Sequence, residues 1–319
     1  MKHRKNGNNG LVKMLLRLAT GKKGSPFDPH VHLSSMDVED VRWADRMSAA
    51  RACRKRLGLS YMALTEHNMA PRYNGQPTVQ GVEISSLFGH MIGLFLDPND
   101  ISNFLDDYSF FEKPLSRPHP IDVLEFYSEH NAIVNLPHPC AYGGLLFSRT
   151  EGLVPNVKRE DKLRAYIDQL PKKRPYLFED WGLEGKIHLE LTSGNRAFTS
   201  DNARAVLNVA RNLDPFALFA GSDCHSSKTF GLSGIYVFEC NGQGTLKDAI
   251  VQGDYVTYRI KPQRNGYRIS IAQPDASSVT KYKWFRKPQA DGKQFKELGE
   301  VSAQGILISS STLQPSQRL

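Results

Sequence analysis

The chain has 319 residues, of which 40% are hydrophobic and 23% charged, a composition typical of a globular protein with its own core. It contains no uncharged apolar run of about 18 residues, which argues against a transmembrane segment. The net charge of +8 suggests nucleic-acid binding, but this charge is unevenly distributed along the chain. Residues 28–254 carry 23 basic and 29 acidic residues, so the basic excess lies in the two ends.

The two ends and the cysteines bear on where the protein works. Residues 1–26 are basic and contain no acid, so they could bind a surface or direct the chain to an organelle. A poorly ordered basic arm is the favoured interpretation. The cysteines form no C-x-x-C pair, which argues against a disulfide framework and favours free thiols in the cytoplasm. They are Cys53, Cys140, Cys224 and Cys240.

From Phe27 onward, short apolar runs alternate with helical patterns. The predicted helices are 38–57, 121–130, 200–212 and 245–252, with one more near 160–170 in a long insertion at about 140–185. The predicted strands are 61–64, 79–84, 91–96, 132–134, 187–191, 216–220 and 234–238. This alternation predicts an α/β architecture with a largely parallel sheet. Residues 259–319 mix Gly, Lys and aromatics with short alternating runs, which predicts a small β-rich C-terminal appendage.

Histidines and carboxylates recur where the predicted strands end. His30 and His32 lie two apart, so on an extended segment they share one side. The others are Glu66 and His67 after 61–64, Glu83 in 79–84, His90 before 91–96, His138 after 132–134, and Asp223 and His225 after 216–220. Strand ends meet at the mouth of a β/α barrel, and imidazoles and carboxylates buried together without a cation are costly. The set therefore predicts a metal site, and nitrogen and oxygen ligands without thiolate suit Zn, Mn or Fe.

These residues, in this order over roughly 27–255, resemble the polymerase and histidinol phosphatase (PHP) family of metal-dependent phosphoesterases. The resemblance implies a distorted, TIM-like (β/α)7 barrel over 27–258 that holds two or three divalent metal ions. Position by position, it implies nine metal ligands: His30, His32, Asp37, His67, Glu83, His90, His138, Asp223 and His225.

The resemblance also implies how the ligands divide among three ions. One ion takes His30, His32, Glu83 and Asp223; the second takes Glu83, His90 and His138; and the third takes Asp37, His67 and His225. Three positions depart from the family pattern. Pro29 replaces the usual leucine, Glu66 the usual aspartate, and Val38 the glycine that often follows the aspartate, which leaves the third ion the least supported.

The expected activity is hydrolysis of a small phosphomonoester or nucleotide-like phosphate by a hydroxide that bridges two metal ions. His138, Asp223 and Glu83 are the candidate catalytic residues. Arg149, Arg196 and Lys228, in loops near the motifs, are candidates to hold the phosphate. The substrate is thus a small phosphorylated molecule, and the oligomeric state is left open.

Two alternatives keep parts of this interpretation. A PHP-type hydrolase could cleave a non-phosphate ester or a carbamate, since function resides in the pocket. A nuclease or nucleic-acid-binding module could instead use the basic ends, although no aromatic-rich RNA motif or helix-turn-helix is evident. The remaining candidates, His3, His119, His130 and His188, are interpreted as structural, and Glu190 as structural or as orienting a ligand.

Overall fold

The computed structural model describes residues 10–33, 43–71, 78–87, 89–108, 110, 117–139, 143–145, 187–192, 203, 206–207, 217–225, 229–238, 245–275, 281–286, 296–301 and 307–309. Asp37, Arg149, Arg196, Lys228 and the helix predicted near 160–170 lie outside these residues. Of the helices that are described, none has the length and apolar character needed to cross a membrane.

Helices and strands alternate through most of the described chain. The helices are α1 (Leu11–Thr20), α2 (Trp43–Leu57), α3 (Pro98–Asp106), α4 (Pro120–Glu129) and α5 (Leu246–Val251). The strands are β1 (Gly24–Val31), β2 (Tyr61–Leu64), β3 (Thr78–Ser85), β4 (His90–Leu94), β5 (Ile133–Leu136), β6 (Ile187–Thr192), β7 (Ala217–Ala220), β8 (Ser233–Phe238), β9 (Tyr255–Gln263), β10 (Gly266–Ala272), β11 (Lys281–Arg286), β12 (Lys296–Val301) and β13 (Leu307–Ser309).

All of these strands belong to one sheet, in the order β13-β12-β11-β10-β9-β8-β1-β2-β3-β4-β5-β6-β7. The strands β1, β2 and β3 are parallel, β4 is reversed, and β5, β6 and β7 run in the direction of β3. Six strands therefore direct their carboxyl ends to the same edge. From β8 to β13 every pairing is antiparallel.

The sheet curls so that its last strand, β7, lies beside β1, β8 and β9. Val31 forms a bridge with Cys224 just beyond β7. On the other side, the Leu218 N–H donates to the Pro274 carbonyl over 2.7 Å, and the Tyr255 hydroxyl donates to the Leu218 carbonyl over 2.9 Å. The result is a nearly closed, barrel-like sheet.

The predicted (β/α)7 barrel is correct only as a mixed α/β barrel-like fold. The described part of the chain is richer in strands, because the reversed β4 and the antiparallel run from β8 onward join the same sheet. The strand β9 crosses the domain boundary predicted after residue 258, so the C-terminal strands continue the sheet.

The N-terminal segment differs from the prediction of a poorly ordered arm, which is wrong from Leu11 onward. Four apolar residues at helical spacing, Val12, Leu15, Leu16 and Ala19, form the buried face of α1. The helix ends at Gly21 in the left-handed conformation (φ 72°), where its N–H donates to the Arg17 carbonyl over 2.9 Å. Burial of this apolar face stabilises the helix. The prediction of a poorly ordered arm rested on the basic composition and did not take this burial into account.

An apolar cluster fills the inside of the barrel beneath the edge where the parallel strands end. Its buried members come from strands around the sheet, and include Phe27, Ala63, Ile92, Ile133, Phe219 and Ile235. The helix α4 covers the outside of β4 and β5 with Val123, Phe126 and Tyr127. The packed interior gives the polar edge above it a rigid support.

Candidate metal centre

The carboxyl-terminal edge of the parallel strands gathers most of the predicted ligands. His32 follows β1, His67 follows β2, His138 follows β5, and Asp223 and His225 follow β7, while His30 and Glu83 lie within β1 and β3. His90 reaches the same edge because β4 is reversed and pairs its first residue with Ser85 of β3. Eight of the nine predicted ligands therefore meet at one site, and the ninth, Asp37, lies outside the described residues.

A bulge in β1 turns the two leading histidines inward. The register to β2 pairs Asp28 with Met62 but Val31 with Leu64, so β1 holds one extra residue around Pro29. Phe27 accordingly belongs to the cluster inside the barrel, whereas Val31 packs outside it. Bulges commonly redirect side chains beside functional sites and accommodate proline.

The centre is closed on one side and open on the other. His30, His32 and Glu83 are fully buried, and Asp223 is nearly so. The side chains of His67, His90 and His225 are 36%, 24% and 44% exposed. A small molecule can therefore reach the cluster from the side that these three histidines line.

Glu83 is the hub of the cluster. Its Oε2 lies 3.1 Å from His30 Nε2, 2.9 Å from His32 Nε2 and 3.5 Å from His67 Nδ1. Its Oε1 lies 2.8 Å from His90 Nδ1 and 3.5 Å from His138 Nε2. One buried carboxylate thus touches five imidazole rings, an arrangement suited to bridging two cations.

Asp223 forms a second centre beside Glu83. Its Oδ1 lies 3.6 Å from His30 Nε2, 3.5 Å from His32 Nε2 and 3.3 Å from His225 Nδ1. Within the described part of the chain, three sets have ligand atoms within 4.8 Å of one another: His30, His32 and Asp223; His67, Glu83 and His90; and His32, His67 and His225. His67 thus also approaches Glu83 and His90, where the resemblance had grouped His138 with them.

The donor atoms fit cations better than they fit one another. The ring nitrogens His30 Nε2 and His32 Nε2 face each other over 2.8 Å. Glu83 Oε1 and His90 Nδ1 lie 2.8 Å apart but form no hydrogen bond, and the buried His138 Nδ1 also has no hydrogen-bond partner. Buried polar atoms normally have hydrogen-bond partners. Several nitrogen and oxygen atoms here converge without such partners, and divalent ions would provide them.

The electrostatics of the cluster follow from the same crowding. Burial opposes charge on Glu83, yet His67, His30 and His90 hold the pKa of its carboxyl well below the usual range. Burial likewise opposes charge on Asp223, but the pKa of its carboxyl is still lowered by three neighbours, His30, His225 and His32. Both groups are therefore negative at neutral pH, as metal ligands must be.

The histidines divide into two kinds. Despite burial, hydrogen bonds to Asp223 and Glu83 raise the pKa of His32 to about 9, and carboxylates led by Glu190 raise the pKa of His30 well above its usual value. Burial and neighbouring imidazoles lower the pKa of His67 to about 4. The buried pair must lose protons when ions bind, whereas His67 is already neutral.

Buried carboxylates behind the cluster hold it in place. Asp28 accepts the backbone N–H groups of Ser222, over 3.0 Å, and Gly231, over 2.9 Å, which ties β1 to the loop after β7 and to the turn before β8. Glu66 accepts the Leu33 N–H, next to His32. His138 and Asp223 have φ angles of 32° and 45°, a strained backbone conformation often found at functional sites.

Three of the histidines interpreted as structural have structural environments, and the fourth, His3, lies outside the described residues. The ring of His119 caps α4 by accepting the Ile121 N–H over 3.2 Å. His130 pairs with Asp100 over 3.0 Å, and His188 is buried with its Nδ1 3.3 Å from the Val134 carbonyl. Cys224 is fully buried in the core beside Val31, as expected of a packing residue.

Sequence reasoning missed the part played by Asp28, although a charged residue two positions before an H-x-H pair was a usable indication of a buried support. It had interpreted Glu190 as structural or orienting, and the structure shows both carboxylate oxygens in use. Oε1 lies 3.0 Å from His30 Nδ1, and Oε2 accepts the His138 N–H over 2.8 Å.

Comparisons with known proteins add little. No family model matches the chain, and no curated protein matches it. Among solved structures, a proposed metal-dependent phosphoesterase from Bifidobacterium adolescentis matches with 15% identity and a TM-score of 0.42, over 64% of this chain and 89% of that one. PsfC from Pseudomonas syringae matches with 13% identity and a TM-score of 0.39, over 72% and 86%. The case for function therefore rests on the site itself.

Proposed function

We propose that this protein is a metal-dependent phosphoesterase of the PHP type that hydrolyses a small phosphomonoester or nucleotide-like phosphate. The observation that carries the proposal is the convergence of six histidines on two ionised, buried carboxylates at the edge where six strands end. Imidazole and carboxylate without thiolate select Zn, Mn or Fe. The residue types and their order along the chain resemble those of the PHP family, and their convergence on one edge supports that resemblance.

The described residues would hold at least two divalent ions. His30, His32 and Asp223 form the enclosed set, and His67, Glu83 and His90 the open one, with His138 next to Glu83. Asp37 completes the ligands proposed from the resemblance. Bound ions would neutralise charge on the phosphoryl oxygens and lower the pKa of a bound water toward neutrality, which supplies a nucleophile.

The chain itself would position the ester. The phosphate group would approach from the side of His67, His90 and His225, whose side chains are partly exposed, because His30 and His32 on the opposite side are fully buried. Glu83, Asp223 and His138 are the proposed catalytic residues, since Asp223 belongs to the enclosed set, Glu83 to the open one, and His138 Nε2 lies 3.5 Å from Glu83 Oε1. Arg149, Arg196 and Lys228 remain the cations proposed to hold the phosphate.

The test is phosphate release from a panel of phosphomonoesters and nucleotides with added Mn²⁺ or Zn²⁺. Asp223→Asn keeps the shape of the side chain but removes its charge, so we expect release to fall by more than about 100-fold, beyond the loss typical of residues behind the ligands. Asp100→Asn, which affects a half-buried pair with His130 outside the cluster, is the matched control and should leave release unchanged.

Wild-type protein that binds the metal ions and yet releases no phosphate from any member of the panel would refute the phosphoesterase proposal. Turnover of carboxylic esters or carbamates by the same preparation, abolished by Asp223→Asn, would show that the site hydrolyses a different bond.

A further inference from the structure

The helix α1 presents two different faces. Val12, Leu15 and Leu16 are fully buried against the core beside β1 and α2. On the outer face, Lys13 and Arg17 form one row and Met14 and Leu18 another, each spaced by one helical turn. Leu18 is 45% exposed. The exposed surface of the helix therefore places positive charge directly beside apolar side chains.

A groove of about 690 Å³ lies along this outer face. Lys13 and Arg17 line it from the helix, and Lys23 and Gly24 line it where the chain enters β1. Its floor includes Tyr236 of β8, whose hydroxyl donates to the Lys22 carbonyl over 3.1 Å. Met14 and Leu18 complete the wall, so the groove combines three cations with an apolar side.

The positive charges of the groove have no nearby carboxylates among the described residues. Among the described residues, no carboxylate forms an ion pair with Lys13, Arg17 or Lys23, and no acidic residue lines the groove. The sequence reinforces this, since residues 1–27 contain seven Lys and Arg and no acid. As far as the described residues show, the positive charge of the groove is uncompensated, and such a site attracts anions.

We propose that this groove docks the protein on a membrane surface by taking the headgroup of an anionic phospholipid. The cations would meet the phosphate, while Leu18 and Met14 would contact the upper part of the acyl chains. Attraction of cations to anionic lipid and burial of apolar side chains are the two contributions that hold proteins at a membrane interface. A soluble anion would gain nothing from the two apolar side chains, and that favours a lipid over free phosphate.

The position of the groove keeps docking separate from the metal centre. The groove borders Gly24, at the start of β1, whereas His30 and His32 lie at its end. At about 3.3 Å for each residue of a strand, the two sites are roughly 20 Å apart. A docked protein would therefore leave the metal centre open to the solution, and docking does not depend on the proposed phosphoesterase activity.

The test is sedimentation of the full chain with vesicles of phosphatidylcholine alone or with about 30% phosphatidylglycerol, at about 0.1 M salt. We expect binding only to the anionic vesicles and loss of binding at about 0.5 M salt. Lys13→Gln with Arg17→Gln should weaken binding about 25-fold, since each cation near the surface contributes about fivefold. Leu18→Ser should weaken it about fivefold by removing apolar contact.

The matched control removes two exposed positive charges from the β9–β10 hairpin, Lys261→Gln with Arg264→Gln, and should bind like wild type. The proposal fails if wild type ignores anionic vesicles, or if the control pair loses as much affinity as the α1 pair. It also fails if Leu18→Ser binds normally while inorganic phosphate displaces the protein, which would identify a site for soluble anions. Thermal unfolding of each variant by circular dichroism verifies the fold.

Discussion

Glu190 holds two histidines of the candidate metal centre with a single carboxylate. Oε1 lies 3.0 Å from His30 Nδ1, and Oε2 accepts the backbone N–H of His138 over 2.8 Å. The first contact orients the ring that presents its other nitrogen to Glu83 and Asp223, and the second holds a backbone in a strained conformation. Glu190 thus acts through the ligands that it positions.

Replacing Glu190 with Gln should weaken Mn²⁺ or Zn²⁺ binding by about 10–100-fold, because the amide is uncharged and cannot accept both contacts equally well. Calorimetric titration of the metal-free protein would measure the change. Glu129→Gln, at an exposed position at the end of α4, provides the control. Unaltered metal affinity in Glu190→Gln would mean that His30 and His138 are held by other contacts.

Residue patterns alone predicted where the site would form, but not how it is supported. His67, His138 and Asp223 were identifiable because each lies close to the end of an apolar strand, and His30 because it stands two residues before His32. The inward orientation of His30 could not be derived by simple alternation from Phe27, because the bulge around Pro29 shifts the register by one residue. The contacts of Asp28 with Ser222 and Gly231 join segments about 200 positions apart, which no local pattern reveals.

At the scale of elements, β9 helps to close the barrel through two buried tyrosines. The Tyr255 hydroxyl donates to the Leu218 carbonyl of β7 over 2.9 Å, and the Tyr258 hydroxyl donates to the Gly231 carbonyl over 3.2 Å. Burial raises the pKa of both phenols well above the usual value, with Asp28 adding to the effect at Tyr258. Both hydroxyls therefore remain protonated donors over the physiological range.

Tyr255→Phe should lower the free energy of unfolding by about 1–2 kcal/mol, since it removes one buried hydrogen bond and leaves the Leu218 carbonyl without that donor. Urea denaturation would measure the change, with an unaltered slope if the fold is retained. Tyr61→Phe, at a partly buried tyrosine of β2, should lower the free energy of unfolding by less. Equal losses in the two variants would show that the hydroxyl of Tyr255 adds nothing to closure.

Element positions were largely predictable, whereas element pairing was not. The apolar runs placed β2 at its observed bounds, and β3, β5 and β7 to within two residues, because each is short, buried and bounded by polar or turn residues. The helix α3 was missed, although Asp97 caps it and Pro98 begins it, a recognisable start signal. The reversal of β4 and the return of β7 to β1 depend on contacts between distant segments.

At the scale of the whole molecule, stability should depend on metal ions. The cluster brings several protonatable histidines and two ionised carboxylates into a buried space. Ions that bind only the folded chain add about 2.7 kcal/mol at 100 times their Kd. We therefore expect saturating Mn²⁺ or Zn²⁺ to raise Tm by about 5 °C, as followed by circular dichroism, and a chelator to reverse the rise.

His32→Ala removes a ligand shared by two of the three sets and should abolish most of this rise. His188→Ala, at a buried histidine of β6 outside the cluster, should lower Tm but preserve the response to metal. If wild type melts at the same temperature with and without the ions, the cluster does not bind them in the folded state.

The distribution of charge is a whole-molecule property that the sequence did predict in outline. It placed the basic excess at the two ends and an acidic balance between them. It did not show that part of the basic N-terminal segment forms the helix α1, which packs against the core and borders a groove beside Tyr236. That arrangement depends on β1 and β8 pairing antiparallel across about 210 residues, which composition cannot convey.

The uneven enclosure of the candidate metal centre implies a kinetic difference between its two proposed ion positions. An ion bound among His30, His32 and Asp223 would leave only when the surrounding strand ends separate, because those side chains are buried. An ion bound at His67 and His90, whose side chains are partly exposed, would exchange without such an opening. The enclosed position would therefore retain whichever metal was present as the chain folded, while the open one would follow the changing supply of ions around the mature protein.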